Sequence, residues 1–151
     1  AEELLSDLPR RLAHVRGDRV EAADLVGRKL SLANGAAFGS LIADLKGAED
    51  AGLKALVDAC EGIGRRLQTA DMDDRNAASY PFLTMLSVAT CGWLMERERA
   101  AATGDDDFAT MKRAVADFYL AQVVPEAMGL AAAAGLPAAQ LYALPAELFA
   151  V

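Results

Sequence analysis

Apolar residues recur at intervals of three and four along most of the chain. Nowhere do strand-forming residues alternate with polar ones over a stretch long enough for a strand. Leu53, Leu56, Val57, Cys60, Ile63, Gly64 and Leu67 form the cleanest stripe, with Lys54, Asp58, Glu61, Arg65 and Arg66 mostly opposite, and they predict an amphipathic helix over Ala48–Leu67. Leu4, Leu5, Leu8 and Leu12 predict a short helix over Glu2–Val15 that Pro9 kinks or ends, followed by a turn at Arg16-Gly17-Asp18-Arg19. From Val20 to about Leu45 the pattern is mixed. Leu25, Val26, Leu30 and Leu32 supply apolar contacts, while Asn34-Gly35 and Gly39 are points where a helix could break. Phe108 to about Ala134 reads as a helix carrying Phe108, Met111, Val115, Phe118, Tyr119, Gln122 and Val123, which Pro125 kinks or ends so that a short helix restarts. Gly135-Leu136-Pro137 is a stop signal. A last short helix or turn over Ala138–Val151, interrupted at Pro145, is expected to fold back over the end of the bundle with Leu141, Leu144, Leu148 and Phe149.

One segment lacks a polar face. From Asn76 to Met95 there is no charged residue, although 25% of the chain is charged. A membrane span needs about 20 mostly apolar residues, but Asn76, Ser79, Pro81, Thr84, Ser87, Thr90 and Gly92 interrupt this run and charged clusters flank it. No membrane span is expected. A helix that is apolar on every side is surrounded by other helices. Here Tyr80, Leu83, Ser87, Cys91 and Leu94 would form one buried side, and Phe82, Met85, Leu86, Ala89 and Trp93 another. The expected helix covers residues 76 to about 102, its regular part starting near Pro81, since proline suits a first turn. A cofactor box at Trp93 and Met95 is the lesser reading.

These patterns give an all-α fold, a bundle of four to five helices in a single domain over residues 1–151. Residues 1–45 form a helical lead-in, 48–135 the main bundle and 138–151 a short terminal helix or turn. At 151 residues one core suffices without staples, because a fold of this size buries roughly 68–70% of its unfolded surface. The hydrophobic fraction of 54% owes much to alanine, the best helix former.

Charge narrows the partners. Fifteen basic against 22 acidic residues give a net charge of −7, which argues against nucleic acid and against an anionic membrane surface, since both need clustered cations. Arg10-Arg11 and Arg65-Arg66 are isolated pairs, read as solvated helix ends. The two cysteines, Cys60 and Cys91, form no CxxC and are expected to be buried thiols in a reducing compartment. The N-terminus carries Glu2, Glu3 and Asp7 where a secretory signal would be basic, so the expected location is cytoplasmic. A start at Ala1 rather than Met fits a processed initiator or a piece of a longer polypeptide.

Candidate chemistry is sparse. Asp71-Met72-Asp73-Asp74 could offer carboxylates to a hard cation, but acidic residues before a helix cap its free N–H groups. The same holds for Asp105-Asp106-Asp107. Gly62 and Gly64 form a GxG without the strand or third glycine of a dinucleotide fingerprint. The single histidine, His14, sits among Arg10, Arg11 and Arg16 and is read as a surface residue. The paired Glu-x-x-His of a helical di-iron site does not occur. Glu96 and Glu98, candidate carboxylate bases, read better as the solvated end of an apolar helix.

The run "CGWLMERERAA" followed by "FATMKRAVADFYLAQVVPEAMGLAAAA" resembles the extra C-terminal domain of certain bacterial acyl-CoA dehydrogenases, over about residues 48 to 135. The matching positions are Tyr80, Gly92, Trp93, Phe118, Tyr119 and Pro125, a packing pattern rather than a catalytic one. The resemblance implies a parent enzyme that uses FAD to introduce a Cα–Cβ double bond into an acyl-CoA, with the flavin and the catalytic carboxylate on preceding domains. It implies no catalytic, metal-binding or cofactor-binding residue in this chain. It implies instead a helical accessory domain packed on the upstream catalytic domains of the same polypeptide or on a second subunit, in a homo-oligomer. Two other readings stay open: a free-standing helical interaction module, and a small-ligand binder with a cavity around Trp93 and Tyr119.

Overall fold

The computed structural model describes residues 19–149, and all its regular elements are helical. The expected helix over Glu2–Val15, Arg10-Arg11, His14 and most of the Arg16–Arg19 turn lie outside the described residues. Helix α1 covers 19–27. A 3-10 segment over Lys29–Gly35 then reverses the chain into α2, Ala36–Leu45. Ala33 and Asn34 take left-handed backbone angles there, and Gly35 follows at φ 86°. Asn-Gly tolerates that region at little steric cost, so the break falls at the expected pair. Gly39 lies inside α2 and breaks nothing, because an isolated glycine only weakens a helix.

Helix α3, Ala51–Thr69, and helix α4, Met72–Ala101, form the centre. Helix α5, Asp107–Phe118, runs back along α4. Three aspartates start these helices in the same way. Asp50, Asp71 and Asp106 each accept a hydrogen bond from the backbone N–H three residues on, at 2.9, 2.8 and 2.8 Å. Capping is therefore what the acidic cluster at Asp71 and the one at Asp106 do.

Helix α4 begins nine residues before Pro81, which sits in its interior. The expectation that regular helix starts at the proline is corrected. The Asp71 cap nucleates the earlier turns, and the proline removes only one i→i−4 bond from a helix of 30 residues. Pro125 does what was expected of it. The α5 backbone widens into a π-helical turn over Tyr119–Val123, in which the Val124 N–H reaches the Tyr119 carbonyl, and α6, Val124–Met128, restarts with Pro125 in its first turn. The extra residue per turn accommodates a ring that an unbroken α-helix would drive into the preceding carbonyl. Helix α7, Ala131–Gly135, ends at the expected stop signal.

The core lies between α4 and the layer made by α2, α3 and α6. Phe82, Met85, Leu86 and Ala89 of α4 meet Leu53, Leu56, Val57, Cys60 and Leu67 of α3 and Phe38, Ile42 and Leu45 of α2. Two helical glycines permit close approaches in this core. A Cβ on Gly92 would lie 2.9 Å from Leu53 Cδ1, and one on Gly64 would lie 2.2 Å from the Phe38 ring. Gly64→Ala should therefore destabilise the chain. The overpacking cost of about 1–3 kcal/mol outweighs the gain of about 1 kcal/mol from replacing a helical glycine. Urea unfolding checks this, and a midpoint above the parent's would contradict the close packing of Phe38 on α3.

The C-terminal segment covers less than its sequence suggests. The Ala138 N–H donates to Asp74 at 2.6 Å and Ala138 is buried, but Leu141, Leu144 and Leu148 are exposed. Two 3-10 turns separated by Pro145 are too short to present one continuous apolar face to the bundle.

Candidate functional site

The side chains that could carry chemistry are dispersed. Cys60 is buried in the core, where desolvation pushes its thiol up to about 12 and leaves it inert at neutral pH. Cys91, expected to be buried as well, is exposed, on the side of α4 opposite the Phe82–Ala89 side that packs into the core. Glu96 was expected at a solvated helix end and is instead buried. Its two carboxylate oxygens accept from the backbone N–H groups of Glu49 and Asp50, at 2.9 and 2.6 Å. It is a structural acceptor that holds the start of α3 onto α4. Glu98 is an exposed partner of Lys112 at 2.9 Å.

Arg66 is not a free helix end. It donates to the Ala134 carbonyl at 2.8 Å and lies 3.9 Å from Asp74, while Arg65 pairs with Glu61 on its own helix. Among the described residues no group of three or more His, Cys, Asp or Glu side chains gathers as metal ligands. No helix there is long and apolar enough to cross a membrane.

Trp93 and Tyr119 do not share a cavity. The half-buried Trp93 side chain has the Arg97 guanidinium 4.6 Å from its ring centre. The phenol of Tyr119 lies against the Cys91 thiol instead; partial burial raises its pKa to about 12, with a further push from Cys91. Two positions apart on an α-helix means about 200° of rotation, so Cys91 and Trp93 face opposite ways. The clefts lie elsewhere. A groove of about 220 Å³ is lined by Leu25, Leu41 and Leu86 among others, and one of about 280 Å³ by Val88, Val123 and Leu130 among others. A more polar one of about 360 Å³ lies between Asn34 and Gln68.

What the structure does assemble is a surface. Helix α4 was expected to be covered on all sides. Its Phe82–Ala89 side is, but Tyr80, Ser87, Cys91 and Leu94 on the opposite side are exposed. Helix α5 repeats the pattern. Ala109, Ala116 and Leu120 are buried against α4, while Phe108, Met111, Val115 and Phe118 are exposed, at spacings of three and four. The two exposed stripes share one face of the α4–α5 hairpin, because Tyr119 meets Cys91 and Lys112 bridges Glu98 to the Phe108 ring. On the opposite flank Arg99 closes the hairpin by pairing with Asp117 at 2.9 Å. Of the six residues that carry the sequence resemblance, Tyr80 and Phe118 lie on this face and Tyr119 at its inner edge. Gly92 instead permits the close contact of α4 with Leu53 and Val124.

Comparison with known proteins agrees with that resemblance and extends it toward the N-terminus. The family model described as acetyl-CoA dehydrogenase C-terminal like matches residues 20–145, which is every described helix from α1 to α7 and part of the terminal segment. Neither curated proteins nor solved structures gave a match. A match over most of the chain, on an all-helical bundle with the Gly92 contact in place, shows that the chain belongs to the acetyl-CoA dehydrogenase C-terminal like family.

Proposed function

We propose that this chain is the helical accessory domain at the C-terminal side of a FAD-dependent acyl-CoA dehydrogenase, and that it works by docking rather than by catalysis. The parent reaction would be Cα–Cβ dehydrogenation of an acyl-CoA in fatty acid metabolism in the cytoplasm, carried out by upstream domains of the same polypeptide. Flavin, when bound, supplies the oxidising equivalents there.

The observation that carries the proposal is the uncovered α4–α5 face. Large apolar side chains exposed on two adjacent helices, with Glu98 and Lys112 between them paired to each other, mark a surface of the kind that is buried in an assembly. The third reading, a ligand binder with a pocket between Trp93 and Tyr119, has no such observation behind it.

Cys91 offers a direct test, since it lies on the face and Cys60 is shielded in the core. In the parent polypeptide Cys91 should react with an alkylating reagent at least about tenfold more slowly than in the isolated chain at low concentration. Equal rates in the two would overturn the docking role.

A further inference from the structure

We infer that residues 136–149 form a strap that lifts off the bundle as a unit, with the carboxylate of Asp74 as its latch. The inference is independent of the docking reading above.

Burial is the first reason. Leu136, Leu141, Tyr142, Leu144 and Leu148 are 49–68% exposed. Among the described side chains of the segment only Ala138 is buried, and alanine has a single methyl group to remove from water. The strap therefore draws little stability from the hydrophobic effect. Helix α7, just ahead of it, differs: Ala134 belongs to the core and Ala131 packs against it.

Hydrogen bonding is the second. The Ala143 and Leu148 N–H groups donate to the Gln140 and Pro145 carbonyls, at 3.4 and 3.1 Å, so the two turns of the strap close on themselves. The hydrogen bond that joins the strap to the described helices runs from the Ala138 N–H to Asp74 Oδ1, at 2.6 Å. A bond to a carboxylate is shorter and stronger than one between neutral groups. The Tyr142 phenol stands near Asp73 on the same turn of α4, whose negative charge raises its pKa.

The third reason is where Asp74 sits. Asp71 caps α4 and accepts from the Asp74 N–H, so the Asp74 carboxylate is left to work outside the helix. Its other oxygen lies 3.9 Å from Arg66, which donates to the Ala134 carbonyl in α7 at 2.8 Å. Asp74 and Arg66 thus tie α3, α4 and α7 together and grip the strap at its first turn alone. Arg66 Nε, beside the latch, is buried with no hydrogen-bond partner among the described residues, a cost that the closed arrangement carries. A segment with one latch and little buried apolar surface belongs to the least stable part of a fold and opens without the rest. Residues 136–149 can therefore change place while the helices from α1 to α7 stay packed.

Native-state hydrogen exchange of the 151-residue chain tests this. The Ala138 amide should exchange through an opening that leaves the α3 and α4 amides protected, and low urea should hardly raise its rate, because little surface is exposed. Asp74→Ala should speed exchange at Ala138, and chymotryptic cleavage after Tyr142, at least about tenfold. The α3 and α4 amides and the Cys60 thiol should change much less. Asp74→Asn should recover part of the effect, since its amide oxygen still accepts. Equal rates at Ala138 in the parent chain and in Asp74→Ala would overturn Asp74 as the latch. An Ala138 amide that exchanges with the same urea dependence as the α4 amides would overturn the strap as a separate unit. So would an Asp74→Ala chain whose α3 and α4 amides speed up as much as Ala138, by making Asp74 a support of the whole bundle.

Discussion

Phe82→Ala should lower the stability of the chain by about 3–5 kcal/mol, the largest loss expected from a single truncation in this fold. Phe82 has no solvent exposure, and its ring meets that of Phe38 at 6.3 Å between centroids and a tilt of 58°. Phe38 in turn occupies the space left by Gly64 on α3. Truncation at 82 thus opens a cavity where α2, α3 and α4 meet, and a rigid helical backbone cannot collapse to fill it. Against a typical total of 5–15 kcal/mol, such a loss leaves much of the chain unfolded at modest urea. Chemical denaturation followed by helical circular dichroism checks this, and a midpoint within error of the parent's would show that Phe82 is not at the centre of the core.

Glu96→Ala should cost about 3–4 kcal/mol. The side chain is buried and its carboxylate accepts from two backbone N–H groups, those of Glu49 and Asp50, just ahead of α3. Hydrogen bonds to a charged acceptor contribute about 1.5–3 kcal/mol each. Removing the acceptor leaves two part-buried donors without their partner. Glu96→Gln should recover part of the loss, because one oxygen remains to accept. Hydrogen exchange at the Glu49 and Asp50 amides separates this from a general packing defect. Those two amides should lose protection in Glu96→Ala before the rest of α3 does. Uniform loss across the helix would mean that Glu96 acts through packing alone.

The helical fold was legible in the chain because its signals are local. The stripe from Leu53 to Leu67 marked α3, Asn34-Gly35 marked the reversal before α2, and Pro125 marked the restart at α6. Each is a matter of backbone sterics or three- and four-residue spacing, which a single segment contains in full. The aspartate caps at positions 71 and 106 were legible for the same reason: donor and acceptor lie within one turn.

The exposed α4–α5 face was not legible, although every residue in it was noticed. The stretch from Asn76 to Met95 is apolar all round, and that pattern is equally well satisfied by helices of the same chain or by another molecule. Only the tertiary structure shows that α2, α3 and α6 cover the Phe82–Ala89 side while Tyr80, Ser87, Cys91 and Leu94 stay open. Cys60 and Cys91 look alike in sequence, each inside an apolar helix, and part company for that reason alone. Glu96 illustrates the same limit. Its acceptors' role depends on amides 46 and 47 residues away, a distance over which no spacing rule operates. The chain by itself determined which segments are helices and where they stop, since those choices are made within a few residues. Which apolar face becomes core, and which stays exposed, depends on how many neighbours each helix acquires, and that is decided only when the helices pack.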